Sequence, residues 1–78
     1  MKPRLKLVVI DRMTDAQREI EVPSSMKFKE FRDYLKRIFG RDEATLIDIN
    51  PSADDEVVIG SVFKDGDVVE IDTYKTVA

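Results

Sequence analysis

The fold is decided by residues 26–39, which read MKFKEFRDYLKRIF. Apolar side chains recur there at spacings of three, four and three residues, at Phe28, Phe31, Leu35 and Ile38. This period places them on one face of an α-helix, with charged residues on the other faces. Ser24 or Ser25 is the expected N-cap, and Gly40 is the expected stop after the helix. We therefore predict one amphipathic helix with a buried stripe.

Two strands are predicted before the helix. From about residue 4 to residue 12, Leu5, Leu7 and Val9 alternate with Lys6, Val8 and Ile10, which is the period of a strand. A polar turn at residues 14–17 follows, and Ile20 and Val22 then resume the alternation. Pro23 ends this second strand because it has no N–H to donate. The pattern predicts an antiparallel hairpin.

Three short strands are predicted after the helix. Residues 45–49 and 68–74 alternate, with Val69 and Ile71 on one face of the last strand, and residues 57–59 are expected to form a short edge strand. The order favours an α+β roll of the β-grasp kind, with a mixed four- to five-stranded sheet and one helix packed on one face. Seven residues are expected to meet the helix stripe: Leu5, Leu7, Ile20, Val22, Ile49, Val69 and Ile71. We expect a single domain over residues 1–78, with residues 75–78 as a flexible tail.

Composition argues against a conventional enzyme. The 78 residues contain no Cys and no His, which removes disulfides, thiolate zinc sites and the commonest catalytic base and nucleophile. We expect no catalytic activity, no cofactor and no metal. The longest apolar run, residues 7–10, is far too short to span a membrane. We expect a monomeric cytoplasmic protein, with the nucleus as an option in a eukaryote.

Charge is distributed unevenly along the chain. Residues 1–41 carry a formal charge of +5 and residues 42–78 carry −8, within a net charge of −3. Six cations could form a basic helix face for nucleic acid, namely Lys27, Lys29, Arg32, Lys36, Arg37 and Arg41. Because the overall pI is near 4.9 and the aromatic residues are needed in the core, nucleic acid is the weaker alternative. The acids at residues 54–56, with Asp65 and Asp67, could suggest a calcium or magnesium site, but residues 65–67 lack the upstream acids of a calcium loop. Residues 54–56 are therefore interpreted as a solvated loop.

Three stretches together resemble the ubiquitin-like superfamily. They are EVPSS at residues 21–25, the Phe28/Phe31/Leu35 helix, and F-x-x-G-D-x-V-x-I at residues 63–71. Within that superfamily the order and spacing are most similar to the ubiquitin-fold modifier, including Val22-Pro23, Phe28, Phe39, Ala44-Thr45, GSVF at residues 60–63 and a short polar tail to Val77.

The resemblance implies a protein modifier that meets activating or conjugating enzymes through its C-terminal tail, here Val77 and Ala78. Modifiers of this family present a terminal glycine for activation, and Ala78 stands at that position in this sequence. A sulfur-carrier protein of the same fold is the alternative, although it needs the same terminal glycine. Either role implies a non-enzymatic protein whose function depends on binding other proteins.

Alternation also leaves apolar residues on the face opposite the helix. If the first and last strands are neighbours, Val8, Ile10, Val68 and Tyr74 share that outer face with the charged residues Lys6, Glu70 and Asp72. An exposed apolar cluster with a charged rim is typical of a protein-binding surface. The sequence therefore predicts a protein-binding site at Lys6, Val8, Ile10, Val68, Glu70 and Tyr74.

Overall fold

A computed structural model describes residues 3–39 and 45–75. Its elements follow one another as β1 (Arg4–Asp11), β2 (Gln17–Pro23), α1 (Phe28–Ile38), β3 (Thr45–Asn50), a 3₁₀ turn (Ile59–Ser61) and β4 (Val68–Lys75). Over the described residues the sheet has four strands in the order β2-β1-β4-β3. None of the helical segments in this part of the chain is long and apolar enough to cross a membrane.

The first and last strands lie side by side at the centre of the sheet. Strands β1 and β4 are parallel, with Val8 opposite Val68, while β1–β2 and β3–β4 are antiparallel. The predicted neighbourhood of β1 and β4 is confirmed. Because side chains alternate along each strand, this register fixes which residues face the helix and which face away from it.

The core lies between the helix and one face of the sheet. Phe28, Phe31 and Leu35 are completely buried, and Phe63 joins them, with its ring centroid 5.9 Å from that of Phe28. All seven sheet residues expected beneath the helix are buried. The predicted helix stripe and the predicted inner face of the sheet are therefore confirmed, and Ile38 at the end of the stripe is half-buried.

The start of the helix differs from the prediction. Lys27, rather than Ser24 or Ser25, is the N-cap residue, and its N–H donates to the Glu30 carboxylate at 3.0 Å. The N–H groups of Phe28 and Lys29 donate to main-chain carbonyls of residues 57 and 55, at 2.9 and 3.2 Å. A distant loop therefore satisfies the donors that a serine side chain would otherwise cap. The expected stop at Gly40 lies outside the described residues.

The expected edge strand at residues 57–59 is wrong. Val58 makes only an isolated bridge with Lys27, and Ile59 begins the 3₁₀ turn, with its side chain fully buried. Gly60 follows where the chain passes close to Ser24: a Cβ on Gly60 would lie 2.7 Å from the Ser24 carbonyl oxygen. The segment turns inward because Ile59 must reach the core, so it cannot run along a sheet edge.

Candidate protein-binding surface

The face of the sheet that points away from the helix brings three of the predicted apolar residues together. Val8 and Val68 are direct partners in the parallel β1–β4 ladder, and Ile10 is opposite Glu70 one step further along. Val68 is 55% exposed, while Val8 and Ile10 are half-buried. We call Val8, Ile10 and Val68 the outer patch. These three side chains form a small apolar cluster on an otherwise charged face of the sheet.

Tyr74 lies apart from the outer patch. It is opposite Leu46 in the β3–β4 ladder, at the other end of β4 from Val68, roughly 20 Å away at the rise of an extended strand. Leu46 and Tyr74 are 40% and 43% exposed. Partial burial raises the pKa of the Tyr74 phenol, and the Asp48 carboxylate adds to that effect through its charge and a hydrogen bond. The expected convergence of four apolar residues is therefore wrong for Tyr74, which belongs to a second cluster with Leu46.

Charged residues surround the outer patch. The Arg12 guanidinium lies 3.9 Å from Glu70 and 3.6 Å from Asp72, at the end of β4 nearer Tyr74. On the other side, a shallow concavity of about 560 Å³ runs along Val8 and is bordered by three acids, Glu19, Glu21 and Asp65. The predicted charged rim is thus present, and it carries more carboxylates than cations.

The turn at residues 64–67 fixes the edge of this surface. The Lys6 N–H donates to Asp65 Oδ1 at 2.8 Å, and the Gly66 N–H donates to the Lys6 carbonyl at 2.7 Å. Gly66 has a φ of +90°, which a residue with a side chain rarely adopts. Nothing in the sequence pattern indicated that this turn would hold the main chain of Lys6 in place.

The basic helix face is partly neutralised by the loop at residues 54–57. Glu56 contacts Lys27 at 2.7 Å and Lys29 at 2.9 Å, and Arg32 contacts Asp55 at 2.9 Å. Hydrogen bonds from the two lysines lower the pKa of the Glu56 carboxyl to about 2, and the same contact raises the pKa of Lys29. The loop is exposed, as expected, but its acids are paired with the helix rather than only solvated. This pairing removes support from the nucleic-acid alternative, of whose cations Arg41 lies outside the described residues.

A buried carboxylate escaped sequence reasoning. Asp11, at the end of β1, is 0% exposed and accepts hydrogen bonds from the Thr73 hydroxyl and the Met13 N–H, each at 2.9 Å. The alternation of β1 places residue 11 on the same face as Leu5, Leu7 and Val9, which is the signal that could have found it. Over residues 3–39 and 45–75, no three acidic side chains gather as ligands for a metal ion.

The predicted tail is only partly within the described residues. Lys75, expected as its first residue, is the last residue of β4 and is opposite Thr45. Val77 and Ala78 lie outside the described residues, and their role stays a prediction.

No protein-family model matches the chain, and no curated protein matches it. Solved structures do. The ubiquitin of Caldiarchaeum subterraneum superposes with a TM-score of 0.74 at 15% identity, covering 96% of this chain and 99% of that one. The ubiquitin-like (UBL) domain of yeast Ddi1 gives a TM-score of 0.72 at 17% identity, covering 100% and 98%. A chain of the MycP5-free ESX-5 inner membrane complex gives 0.68 at 11% identity, with 99% of this chain matching 22% of that one.

These similarities and the sheet order agree on one class: the chain has a ubiquitin-like β-grasp fold. At these identities the similarity shows the fold alone. The narrower resemblance to the ubiquitin-fold modifier stays a prediction.

Proposed function

We propose that this chain is a non-enzymatic protein-interaction module that binds other proteins through the outer patch. The single observation that carries the proposal is the parallel pairing of β1 and β4, which sets Val8 beside Val68 on the face away from the helix. An exposed Val68 next to half-buried Val8 and Ile10 offers apolar area whose burial favours association. The charged rim then determines which partners fit.

The rim indicates the chemistry of the partner. Glu19, Glu21 and Asp65 border the concavity beside Val8, and Glu70 lies opposite Ile10. Lys6 and Arg12 are the nearby cations, and the Arg12 guanidinium already lies within 4 Å of two carboxylates. A partner with an apolar centre and basic residues around it complements this surface.

The test compares variants of the tagged chain as bait in extract from the source organism, with captured proteins quantified by mass spectrometry. Val8→Asp and Val68→Asp each place a charge in the outer patch, whereas Met13→Asp places the same charge on an apolar side chain that is 63% exposed in the β1–β2 turn. We expect a partner that is retained by the unmodified chain and by Met13→Asp and lost with both patch variants. Equal capture by all four baits would overturn the proposal.

The modifier role remains a second proposal, which concerns Val77 and Ala78. It is supported by the fold shared with an archaeal ubiquitin and by the sequence resemblance to the ubiquitin-fold modifier. We expect little or no adenylation of the 78-residue chain by a cognate activating enzyme, and recovery of adenylation with Ala78→Gly. Pyrophosphate exchange measures both reactions, and failure of the glycine variant would leave only the binding role.

A further inference from the structure

Strand β3 forms one edge of the sheet. It is paired with β4 on one side, and no strand of residues 3–39 or 45–75 lies on its other side. The N–H and C=O groups that point outward from an edge strand can pair with an extended segment of another chain. Strand β2 forms the opposite edge. Strand β3 differs from β2 in having a groove between it and helix α1.

Helix α1 and β3 enclose a groove of about 380 Å³. The helix side of this groove is formed by Phe28, Arg32, Asp33 and Lys36, and the strand side by residues 45–49. Phe28, Arg32 and Lys36 are spaced four residues apart and therefore lie on one stripe. The stripe is about 12 Å long at the rise of an α-helix. That length matches about four residues of extended chain.

The two sides of this edge differ in charge. On the helix side, Arg32, Asp33 and Lys36 line the groove, so two cations face one carboxylate and the balance there is positive. On the outer side, Leu46 and Asp48 lie on the same exposed face of β3, and the charge there is negative. Arg32 contacts Asp55 through one of its terminal nitrogens, and a guanidinium has five N–H donors, so it can bind a second carboxylate.

We infer that the groove between α1 and β3 binds an extended segment of another protein, which adds a strand to the β3 edge. Successive side chains of an added strand point to opposite faces of the sheet. Those facing the helix meet Arg32 and Lys36, and we assign them as carboxylates. Those facing the outer side meet Leu46 and Tyr74, and we assign them as apolar. This surface is separate from the outer patch, so the inference does not depend on the proposed function.

The test is a titration of the ¹⁵N-labelled 78-residue chain with the peptide Glu-Val-Glu-Val-Glu-Val, followed by amide chemical shifts. We expect saturable shifts along residues 45–49 and at Arg32 and Lys36. The charge-inverted peptide Lys-Val-Lys-Val-Lys-Val should bind about tenfold more weakly. A version of the first peptide that is N-methylated at alternate residues should also bind more weakly, because an added strand needs its main-chain N–H groups.

Two chain variants with the same charge change separate the groove from general electrostatics. Lys36→Glu alters the helix side of the groove, whereas Arg18→Glu alters an exposed residue on β2 at the opposite edge. We expect Lys36→Glu to weaken binding of the acidic peptide about tenfold and to strengthen binding of the basic peptide. Arg18→Glu should leave the affinity for both peptides nearly unchanged.

Four outcomes would overturn the inference. One is the absence of saturable shifts at millimolar peptide, and another is an equal effect of the two chain variants. The third is a set of shifts confined to β2 or to the outer patch. If dilution of the chain without peptide moves the β3 amide signals, the edge pairs with a second copy, and the assignment to a foreign segment is wrong.

Discussion

Val8 and Val9 are neighbours in β1 with identical side chains and opposite environments. Val9 is 0% exposed beneath the helix, whereas Val8 is half-buried on the other face beside Val68. Hydrophobicity alone therefore does not decide which valine belongs to the core. The pleat decides it, because it sends successive side chains to opposite faces, and only one face of this sheet is covered by α1.

The difference between the two faces has a functional meaning. The inner face is closed by Phe28, Phe31 and Phe63, whose rings lie within 6.3 Å of one another, so its residues are devoted to stability. The outer face is not closed by any described element, and its apolar residues remain accessible to a partner. A charge should therefore disrupt the fold on one face and only binding on the other.

An aspartate on each face of β1 tests the difference between the two faces most directly. We expect Val9→Asp to abolish the folded state, because an unpaired carboxylate in the core costs several kcal/mol, which is comparable to the stability of a small domain. Val8→Asp should fold normally. Circular dichroism and amide dispersion measure both variants. If Val8→Asp also unfolds, Val8 belongs to the core and the outer-patch proposal fails.

Truncation of two buried residues of the helix stripe measures how much the inner face contributes to stability. We expect Phe31→Ala and Leu35→Ala each to lower the free energy of unfolding by about 2–5 kcal/mol, because both side chains are fully buried against the sheet. Leu46→Ala, on the partly exposed outer face, should cost less than about 1 kcal/mol and serves as the matched control. Chemical denaturation measures all three. Losses below about 1 kcal/mol at Phe31 and Leu35 would contradict the assigned helix face.

The third effect concerns the polar end of the inner face. Thr73→Val keeps the shape of the side chain but leaves the buried Asp11 carboxylate without the hydroxyl that donates to it. We expect a loss of about 1–3 kcal/mol in the free energy of unfolding. Thr73→Ser keeps the donor and should recover most of that loss. A larger loss for Thr73→Ser than for Thr73→Val would show that packing of the methyl group, and not the hydrogen bond, is what matters.

The smallest effect tests a contact on the solvent side of the helix. The folded-state pKa of Glu56, about 2, lies below its ordinary value of 4.5, so ionised Glu56 favours the folded state. Its contribution is fully present above about pH 4.5 and is lost as the pH falls toward 2. We expect Glu56→Gln to flatten the acid limb of stability slightly, measured by thermal unfolding between these pH values.

Salt provides the control for that last prediction. Exposed ion pairs are screened, so the difference between the unmodified chain and Glu56→Gln should nearly vanish in about 1 M salt. A difference that persists there would indicate a change in structure rather than the loss of an ion pair.

Local periodicity made the helix and the faces of the strands predictable. The stripe from Phe28 to Leu35 and the alternation of β1 and β4 depend only on nearby residues, and both are confirmed. What escaped prediction depends on residues far apart in sequence. The Asp11–Thr73 hydrogen bond joins positions 62 apart, and the carbonyls that cap the helix come from a loop more than 20 residues downstream.

In the candidate site, too, some features follow from nearby residues and others depend on contacts between distant ones. Alternation correctly assigned Val8, Ile10, Val68 and Tyr74 to one face, and the six-residue separation of Val68 and Tyr74 along one predicted strand already implied a distance of about 20 Å between them. The register of β3 against β4 places Tyr74 opposite Leu46 and away from the other three. Alternation, together with the expected pairing of β1 and β4, could therefore predict the outer patch, whereas the pairing of Tyr74 with Leu46 required the tertiary structure.

The parallel ladder between β1 and β4 also constrains how the chain folds as it is synthesised. The β1–β2 hairpin and α1 are local, so they can form as soon as their residues have left the ribosome. The centre of the sheet stays incomplete until residues 68–75 emerge, since Val9 has no β4 neighbour before then. The core of the nascent chain therefore stays incomplete until β4 has been synthesised. A pause in translation before β4 would expose the apolar inner face to chaperones or to aggregation.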